Sequence, residues 1–273
     1  GGAGFIGTNL IKRLLSEGHN VHSIDNYDSG LKENEVEGCN YHTSDIQIIS
    51  LMDKDFDIIY HLAALSRIQP SFENPLLTYD TNVTGTQMVC EFAKSIGAKV
   101  IYAGSSSRWH NPYQSPYACY KHLGEEILKM YRKVYSLNCE IARFYNVYGP
   151  NQIMNGPMSA IIGIFESQFK KKKPLTIVKP GSQRRDFTHV DDVVRGCYLA
   201  WTKGKQNEYM LCTNNSYSIL EIAKMFGCKF KFIKSRPGDR HESFISNNNA
   251  KKILGFTAKK DIKNYIKDFV SKN

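Results

Sequence analysis

Short apolar segments alternate with longer amphipathic segments along the first 150 residues of the chain. The apolar segments are typical of buried strands. The amphipathic segments repeat apolar residues at helical spacing, as Ile6, Leu10 and Leu14 do. Alternation of strands with helices predicts an α/β fold with a Rossmann-type, doubly wound parallel sheet. We predict strands over 20–25, 57–62, 98–104 and 138–143, and helices over 5–17, 75–96 and 115–136.

The pattern becomes less regular after the YGP segment at 148–150. Helical segments there include MSAIIGIFESQFKK and DDVVRGCYLAWTKG, and LTIV and YMLCT are short apolar strands. We therefore expect residues 1–150 to form the dinucleotide-binding sheet domain. Residues 151–273 are expected to form a smaller α/β lobe that encloses a substrate, with some segments returning to the main sheet.

Three glycines, Gly1, Gly4 and Gly7, mark the start of the first predicted helix in G-x-x-G-x-x-G spacing. Glycines here let the backbone turn tightly and approach a pyrophosphate at the helix N-terminus. Asp25 ends the next strand, where a carboxylate binds a ribose 2′-hydroxyl and repels a 2′-phosphate. This order of glycines, helix, strand and acid predicts an NAD site rather than a solvated glycine-rich turn.

No apolar strand precedes the glycines, and the sequence begins at Gly1 rather than at a methionine. A βαβ unit places a central strand before the glycine turn. We expect the complete protein to carry that strand, as about six to ten residues ahead of Gly1.

Positive charge dominates the chain, with 36 lysines and arginines against 26 aspartates and glutamates and a net charge of +10. The densest basic run, 170–173, precedes Pro174 and is typical of a helix C-terminus, where cations are favoured. No aromatic residues are interleaved with this run, which disfavours nucleic acid as a partner. A basic protein instead suits a substrate that carries a diphosphate.

Composition also bears on the compartment in which the protein works. No apolar run approaches 18 residues, so no membrane span is predicted. The seven cysteines are scattered and form no C-x-x-C pair. This usage favours reduced thiols and a cytoplasmic location, and it predicts no metal site.

Tyr117 and Lys121 lie four residues apart in SPYACYKHLGEE, so a helix would present both on one face. A lysine ammonium beside a phenol favours the phenolate, which could take a proton from a sugar hydroxyl near neutral pH. Loss of that proton is what hydride transfer to a nicotinamide requires. The spacing alone is common by chance, and its significance comes from the NAD site predicted upstream.

Ordered motifs over nearly the whole chain resemble extended short-chain dehydrogenase/reductases, in the group of NAD-dependent nucleotide-sugar epimerases and dehydratases that includes the UDP-hexose 4-epimerases. The resemblance implies NAD as cofactor, a nucleotide-diphosphate sugar as substrate, and a homodimer that pairs through helices 75–96 and 115–136. The motifs are GGAGFIG, IDNYDSG, DIIYHLAALS, NVTGT, IYAGSSS, SPYACYK, RFYNVYGP, QRRDFTHVDDV and RPGD.

The resemblance implies roles for particular residues at the cofactor. The glycines would hold the pyrophosphate, Asp25 the adenosine ribose and Lys121 the nicotinamide ribose, while Asp45 would lie near adenine. Asn82 matches a position where cofactor contact and a structural role are both open. The cofactor-binding residues expected on this basis are Gly1, Gly4, Phe5, Ile6, Gly7, Asp25, Asn26, Asp45, Ile46, Leu62, Ala63, Ala64, Asn82, Tyr117, Lys121 and Tyr145.

The resemblance also implies a catalytic set of Ser105, Tyr117 and Lys121. Tyr117 would be the acid/base, and the Ser105 hydroxyl would bond the sugar hydroxyl that is oxidised. The loop before Tyr117 departs from the family pattern, because Arg-Trp-His at 108–110 replaces a more usual aromatic-glycine pair.

At the substrate, the resemblance implies that two arginines clamp the diphosphate, since guanidinium groups present forked donors to phosphate oxygens. UDP is the commonest nucleotide of the group, and the small Ser243 at a pocket position weakly favours room for an N-acetyl group. The substrate-binding residues expected on this basis are Ser105, Ser106, Asn146, Arg185, Arg236 and Asp239.

The residues after Ser105 bear on which member of the group the chain resembles. Dehydratases carry an Asp-Glu pair there, decarboxylases a Glu, and 3,5-epimerase/reductases a Cys, whereas this chain has Ser106 and Ser107. Both serines are also close enough to compete with Ser105. By elimination the resemblance favours 4-epimerisation of a UDP-hexose or UDP-N-acetylhexosamine through a 4-keto sugar. Dehydratase, decarboxylase or ketoreductase chemistry, and a non-catalytic NAD-binding sensor or scaffold, are the alternatives.

Overall fold

The computed structural model describes residues 1–52, 55–109, 111–235 and 246–273. No helix in these ranges is long and apolar enough to cross a bilayer. Its strands are β1 (Val21–Asp25), β2 (Cys39–Thr43), β3 (Ile58–His61), β4 (Lys99–Ser105), β5 (Cys139–Phe144), β6 (Asn146–Tyr148), β7 (Leu175–Val178), β8 (Arg184–His189), β9 (Glu208–Leu211), β10 (Ser216–Ser218) and β11 (Phe230–Ile233). Its helices are α1 (Phe5–Ser16), α2 (Ile68–Glu73), α3 (Pro75–Tyr79), α4 (Gly85–Ile96), α5 (Pro116–Tyr135), α6 (Ile161–Lys170), α7 (Val190–Lys203), α8 (Ile219–Met225) and α9 (Ile262–Lys272).

A parallel sheet forms the centre of the larger part of the molecule. It has two hydrogen-bonded parts, the pair β1–β2 and four strands in the order β3-β4-β5-β9. Side chains of β4 alternate between its faces: Ile101 packs with α1 and α7, whereas Val100 and Tyr102 pack with α4 and α5. Helices therefore cover both faces, which confirms the predicted Rossmann-type, doubly wound fold.

Segments after residue 150 divide between this sheet and a second lobe. The strand β9 pairs with β5, and α7 packs on the main sheet. The second lobe contains the parallel pair β7–β11, the mixed sheet β10-β8-β6 and helices α6, α8 and α9. Its core includes Phe165, Phe187 and Phe226. The chain thus crosses between the two parts several times, and these crossings fix one against the other.

The predicted elements of the first half agree with the structure to within one residue at each end, except for the helix expected over 75–96. That segment divides into α3, a π-helical turn at Asp80–Thr84, and α4. Single π turns often occur at functional sites because they redirect one side chain. Here the wider turn carries Asn82, whose amide bonds the backbone of Leu65.

The prediction did not include β2 or β8, whose sequences CNYHT and RRDFTH lack an apolar alternation. The strand β2 is only partly buried, so little apolar surface is needed. In β8 the polar Asp186 is fully buried, because its carboxylate accepts hydrogen bonds from the backbone of Thr213 and Asn215 and from the Thr188 hydroxyl. Such partners come from distant segments and are not visible in a local pattern.

Candidate active site

A cavity of about 800 Å³ lies at the carboxyl ends of the central parallel strands, against the second lobe. Ligands bind at this edge of doubly wound sheets. Most residues expected at the cofactor, the chemistry and the substrate share this one cavity. Those that line it are Gly1, Gly4, Phe5, Ile6, Gly7, Asp25, Asn26, Asp45, Ile46, Leu62, Ala63, Ala64, Ser105, Ser106, Tyr117, Lys121, Tyr145, Asn146 and Arg185.

The glycine turn forms one end of the cavity and leads into α1. Gly4 is the N-cap of α1, and no side chain caps the free N–H groups of the first turn. A Cβ on Gly4 would meet only the Gly1 carbonyl oxygen, at 3.4 Å, so the remaining space belongs to the cavity. A Cβ on Gly7 would overlap that oxygen and lie 2.7 Å from the Gly2 Cα. The turn therefore fits a pyrophosphate at Gly4 and needs Gly7 for its own packing.

Three polar side chains adjoin the glycine turn, two at the end of β1 and one shortly after β2. The Asp25 carboxylate accepts hydrogen bonds from the N–H groups of Ala3 at 2.9 Å and Tyr27 at 2.8 Å, which fix it in the cavity wall. Asn26 donates to the Asp45 carboxylate at 3.1 Å. Each carboxylate oxygen of Asp25 accepts one such bond and retains capacity for a ribose hydroxyl. A fixed carboxylate here suits NAD and would repel a 2′-phosphate.

The loop after β3 forms the adjoining wall. Asn82 does not line the cavity: its amide accepts a hydrogen bond from the Leu65 N–H and donates to the Leu65 carbonyl oxygen, both at 2.9 Å. The side chain is 1% exposed and satisfied by these bonds. Of the two roles left open by the sequence, the structure therefore favours the structural one, in which Asn82 holds the loop in place.

The catalytic set expected from the sequence meets in the middle of the cavity. Ser105 ends β4, and the Tyr117 hydroxyl donates a hydrogen bond to its Oγ at 3.2 Å. Tyr117 lies in the first turn of α5, which begins at Pro116 and is capped by the Ser115 side chain. The Tyr117 N–H donates to Ser71 Oγ at 3.1 Å. Strand end and helix start thus hold the two hydroxyls together on the cavity wall.

Lys121 lies one helical turn beyond Tyr117 and is 5% exposed. Its Nζ lies 4.4 Å from the centre of the Tyr102 ring, which attracts the cation weakly. Burial lowers the pKa of Lys121 to about 8, although the nearby Glu125 opposes this effect. Glu125 is itself bound by Arg143 through hydrogen bonds of 2.6 to 3.1 Å. Lys121 is therefore a buried cation whose charge is only partly compensated.

Ser106 and Ser107, the two serines that compete with Ser105 for the catalytic role, occupy different environments in the structure. Ser106 lines the cavity, whereas Ser107 lies outside its lining and is 2% exposed. Ser107 donates its backbone N–H to Ser105 Oγ at 3.1 Å, which helps to orient the Ser105 hydroxyl. Ser105 is thus the serine that contacts Tyr117.

The substrate side of the cavity is formed by β6 and β8. Asn146 donates to the Asp186 carbonyl oxygen at 3.0 Å, which orients its amide, and Arg185 lines the cavity from β8. No group of three or more His, Cys, Asp or Glu in the described part of the chain is placed to hold a metal ion. Four further residues considered in the sequence analysis lie outside the described residues: His110, Arg236, Asp239 and Ser243.

The structure adds Arg67, which the sequence analysis did not single out. It lines the cavity from the loop before α2, and its Nε donates to the Met158 carbonyl oxygen of the second lobe at 2.8 Å. The signal in the sequence is one arginine within the otherwise uncharged segment HLAALSRIQP. Its proximity to Tyr117 becomes apparent only in the folded protein.

We predict that Gly4→Ala weakens NAD binding tenfold or more and changes stability little, because the new Cβ enters only the cavity. Gly7→Ala should lose both stability and NAD binding, since its Cβ overlaps the backbone of the turn. Calorimetric titration with NAD and urea unfolding measure the two effects. Wild-type NAD affinity in Gly4→Ala would contradict the placement of the pyrophosphate.

We also predict that Lys121→Met stabilises the ligand-free protein at pH 7, by up to about 3 kcal/mol. Below pH 8 the folded protein carries a buried charge that the unfolded chain solvates. Between pH 8 and 10.5 the folded wild type releases that proton first, so its stability rises relative to the variant and the gain shrinks.

Urea unfolding at pH 7, 9 and 10 measures this difference. Lys129→Met is the control, because Lys129 lies on the same helix but is partly exposed and paired with Glu126 and Glu208. It should not gain stability. The prediction would be contradicted if Lys121→Met were less stable than wild type at pH 7 and if this difference in stability did not change between pH 7 and pH 10.

Known proteins resemble this chain over nearly its full length. The profile of the NAD dependent epimerase/dehydratase family matches residues 1–212. A UDP-glucose 4-epimerase of Mycolicibacterium smegmatis is 31% identical over 287 residues, which cover 94% of this chain and 91% of that protein. The UDP-glucuronic acid decarboxylase 4 of Arabidopsis thaliana is 29% identical over 300 residues, which cover 98% and 67%.

Solved structures share the fold as well. A UDP-glucose 4-epimerase from Thermotoga maritima, determined with UDP-glucose, has a TM-score of 0.92 at 26% identity. The match covers 99% of this chain and 96% of that chain. The family match, these relatives and the arrangement of Gly4, Asp25, Ser105, Tyr117 and Lys121 agree: the chain is an enzyme that belongs to the NAD-dependent epimerase/dehydratase family.

Proposed function

We propose that this enzyme interconverts the C4 epimers of a UDP-hexose or UDP-N-acetylhexosamine through a transient 4-keto sugar. The observation that carries the proposal is the hydrogen bond between Tyr117 and Ser105, with Lys121 one turn away, on the wall of the NAD cavity. Two hydroxyls and a cation in this arrangement can take a proton from a secondary alcohol. Epimerisation at C4 requires no further acid or base.

Bound NAD supplies the acceptor for a hydride from the sugar and its donor on return. The chain's own part is to bind and orient. Gly4 and the first turn of α1 would hold the pyrophosphate, Asp25 would hold the adenosine ribose, and Lys121 would hold the nicotinamide ribose. Lys121 also places a positive charge one helical turn from Tyr117.

Tyr117 would move the proton. As phenolate it takes the proton of the C4 hydroxyl, while Ser105 Oγ bonds the same hydroxyl or relays the proton. When the 4-keto sugar is reduced on its opposite face, Tyr117 returns the proton to the new hydroxyl oxygen. Proton and hydride both return to the sugar, so the reaction inverts C4 without net oxidation or reduction.

The inversion requires that the sugar turn over while the rest of the substrate stays bound. Arg185 supports such an anchor, because a guanidinium on β8 can bind the diphosphate in a forked geometry. A cavity of about 800 Å³ also supports movement of a hexose inside it. Ser106 supports epimerisation over dehydration or decarboxylation, since a hydroxyl lines the cavity where those enzymes carry an acid.

We predict that Tyr117→Phe lowers turnover 10²-fold to 10⁴-fold and leaves NAD binding intact, because it removes only the proton-transfer group. Tyr120→Phe is the matched control on the same helix, where the ring packs against Tyr79 and does not line the cavity. The measurement is NMR of UDP-, GDP- and dTDP-hexoses incubated with enzyme and NAD.

Conversion of one sugar into its C4 epimer, without NADH accumulation, is the expected result. A 4-keto-6-deoxy or decarboxylated product would show that the enzyme catalyses dehydration or decarboxylation instead of epimerisation. A Tyr117→Phe variant with undiminished turnover would refute the assigned acid/base. No product from any sugar, together with intact NAD binding, would favour the non-catalytic sensor or scaffold.

We further propose a homodimer that pairs through α4 and α5. An apolar stripe on α5, made of Leu123, Ile127, Met130 and Val134, follows helical spacing and is open to solvent in its larger part. Val134 is 61% exposed and Met130 42%. A stripe of this kind on a surface helix is typical of a helix–helix interface.

We predict that Met130→Glu together with Val134→Glu converts the dimer into a monomer, because four charges would face each other across the two-fold axis. Sedimentation equilibrium at micromolar concentration measures the mass. Phe232→Glu is the control, since Phe232 is 44% exposed and lies on β11, which pairs with β7 in the second lobe. A wild type that sediments as a monomer would rule out this interface.

A further inference from the structure

Arg67 places in the cavity a positive charge that the reaction proposed above does not use. The guanidinium lines the cavity and lies close enough to the Tyr117 phenol to interact with it electrostatically. Its Nε donates to the Met158 carbonyl oxygen at 2.8 Å, and Nη1 donates to the Ser66 carbonyl oxygen at 2.9 Å. These two bonds hold the guanidinium in place and leave the Nη2 donors for a ligand.

Among the residues that the structure describes, the Arg67 charge has no partner of opposite sign. Within the described ranges, no carboxylate lies within ion-pair distance of its guanidinium, including Glu73 of the adjacent helix α2. Burial lowers the pKa of Arg67, and the nearby Tyr117 only opposes that effect. Two backbone carbonyls satisfy hydrogen bonds but do not neutralise a charge. An anionic group on a ligand would do so.

Contacts of the surrounding segments place Arg67 at the reacting end of the cavity. Arg67 precedes α2, and Ser71 of α2 accepts the hydrogen bond from the Tyr117 N–H. Met158, the partner of Arg67 Nε, belongs to the second lobe. Arg67 is thus bonded to the second lobe, and the helix that follows it is bonded to the start of α5. If the C4 hydroxyl of a sugar contacts Tyr117, the neighbouring ring substituents would lie in the part of the cavity that Arg67 lines.

The anion that Arg67 binds must therefore belong to the sugar end of the substrate. The glycine turn is placed for the NAD pyrophosphate, and Arg185 on β8 is placed for the substrate diphosphate. A neutral hexose offers no charge, whereas a hexuronic acid carries a planar carboxylate at C6. Guanidinium groups match carboxylates through forked hydrogen bonds.

We infer that Arg67 is a specificity-determining residue that binds the C6 carboxylate of the sugar, and that the preferred substrate is a nucleotide-diphosphate hexuronic acid. The inference rests on the proposed function for the position of the sugar beside Tyr117. It narrows the substrate from hexoses in general to those with an acid at C6. Neutral hexoses would leave the Arg67 charge uncompensated and bind less tightly.

Calorimetric binding of UDP-glucuronate and UDP-glucose to the NAD-loaded Tyr117→Phe protein tests this inference, because neither ligand is then consumed. UDP-glucuronate should bind at least tenfold more tightly, about 1.4 kcal/mol. Arg67→Gln should abolish this preference by weakening UDP-glucuronate alone, and Arg67→Lys should retain part of it. Arg108→Gln is the control, since Arg108 pairs with Glu125 and Glu126 and does not line the cavity. It should leave the preference unchanged.

Two results would overturn the inference. One is a protein with intact Arg67 that binds both ligands equally or prefers UDP-glucose. The other is an Arg67→Gln variant that weakens both ligands by the same factor, which would assign Arg67 to the diphosphate that they share. The binding measurement does not require turnover. An absence of epimerisation would therefore contradict the proposed function, but the preference between the two ligands could still be measured. If Arg67→Gln does not fold, the inference is tested by the preference for UDP-glucuronate over UDP-glucose, measured in the protein with intact Arg67 and in Arg67→Lys.

Discussion

The hydrogen bond between the hydroxyls of Tyr117 and Ser105 is the contact on which the rest of the site depends. Ser105 is the last residue of a central strand that pairs on both sides, with β3 and with β5. Tyr117 lies in the first turn of a 20-residue helix, fixed by its cap at Ser115 and by a bond to Ser71. Two rigid elements therefore bring the hydroxyls together, and proton transfer requires such fixed geometry.

Positive charge in the cavity is under-compensated, and this distinguishes the site from the rest of the core. Arg143 and Glu125 form a buried pair directly behind it, where both partners are satisfied. Lys121 and Arg67, in contrast, lack an ion-pair partner among the described residues. The protein accepts a cost in stability at these two positions, and a site for anionic ligands explains why. NAD and a nucleotide sugar both supply negative charge on binding.

The sequence predicted the parts of the site that depend on local order. The glycine turn, Asp25 and the Tyr117–Lys121 pair lie at ends of elements whose apolar pattern is strong, so their positions relative to the sheet follow from topology. Asn82 shows the limit of that reasoning: its role depends on a π turn and on a loop 17 residues earlier. A helical pattern alone does not show which side chain such a turn redirects.

Other features of the site depend on long-range contacts and were not predictable. The strand β8, which carries Arg185, is stabilised by hydrogen bonds to a buried Asp186 rather than by apolar alternation. Arg67 approaches Tyr117 only because α2 packs against α5 and because Met158 of the second lobe accepts its hydrogen bond. In both places a polar or charged residue is held by partners from distant parts of the chain, where local propensity carries no information.

The central claim, inversion at C4 with return of the same hydrogen, is tested most directly by isotopic labelling. A UDP-sugar deuterated at C4 would be incubated in ordinary water with enzyme and catalytic NAD, and the products examined by NMR and mass spectrometry. The account predicts that the C4 epimer retains its deuterium, because the hydrogen leaves and returns to the same carbon without exchange with solvent. Loss of the label from the epimer, or its transfer to C6 of a 4-keto-6-deoxy product, would contradict the account.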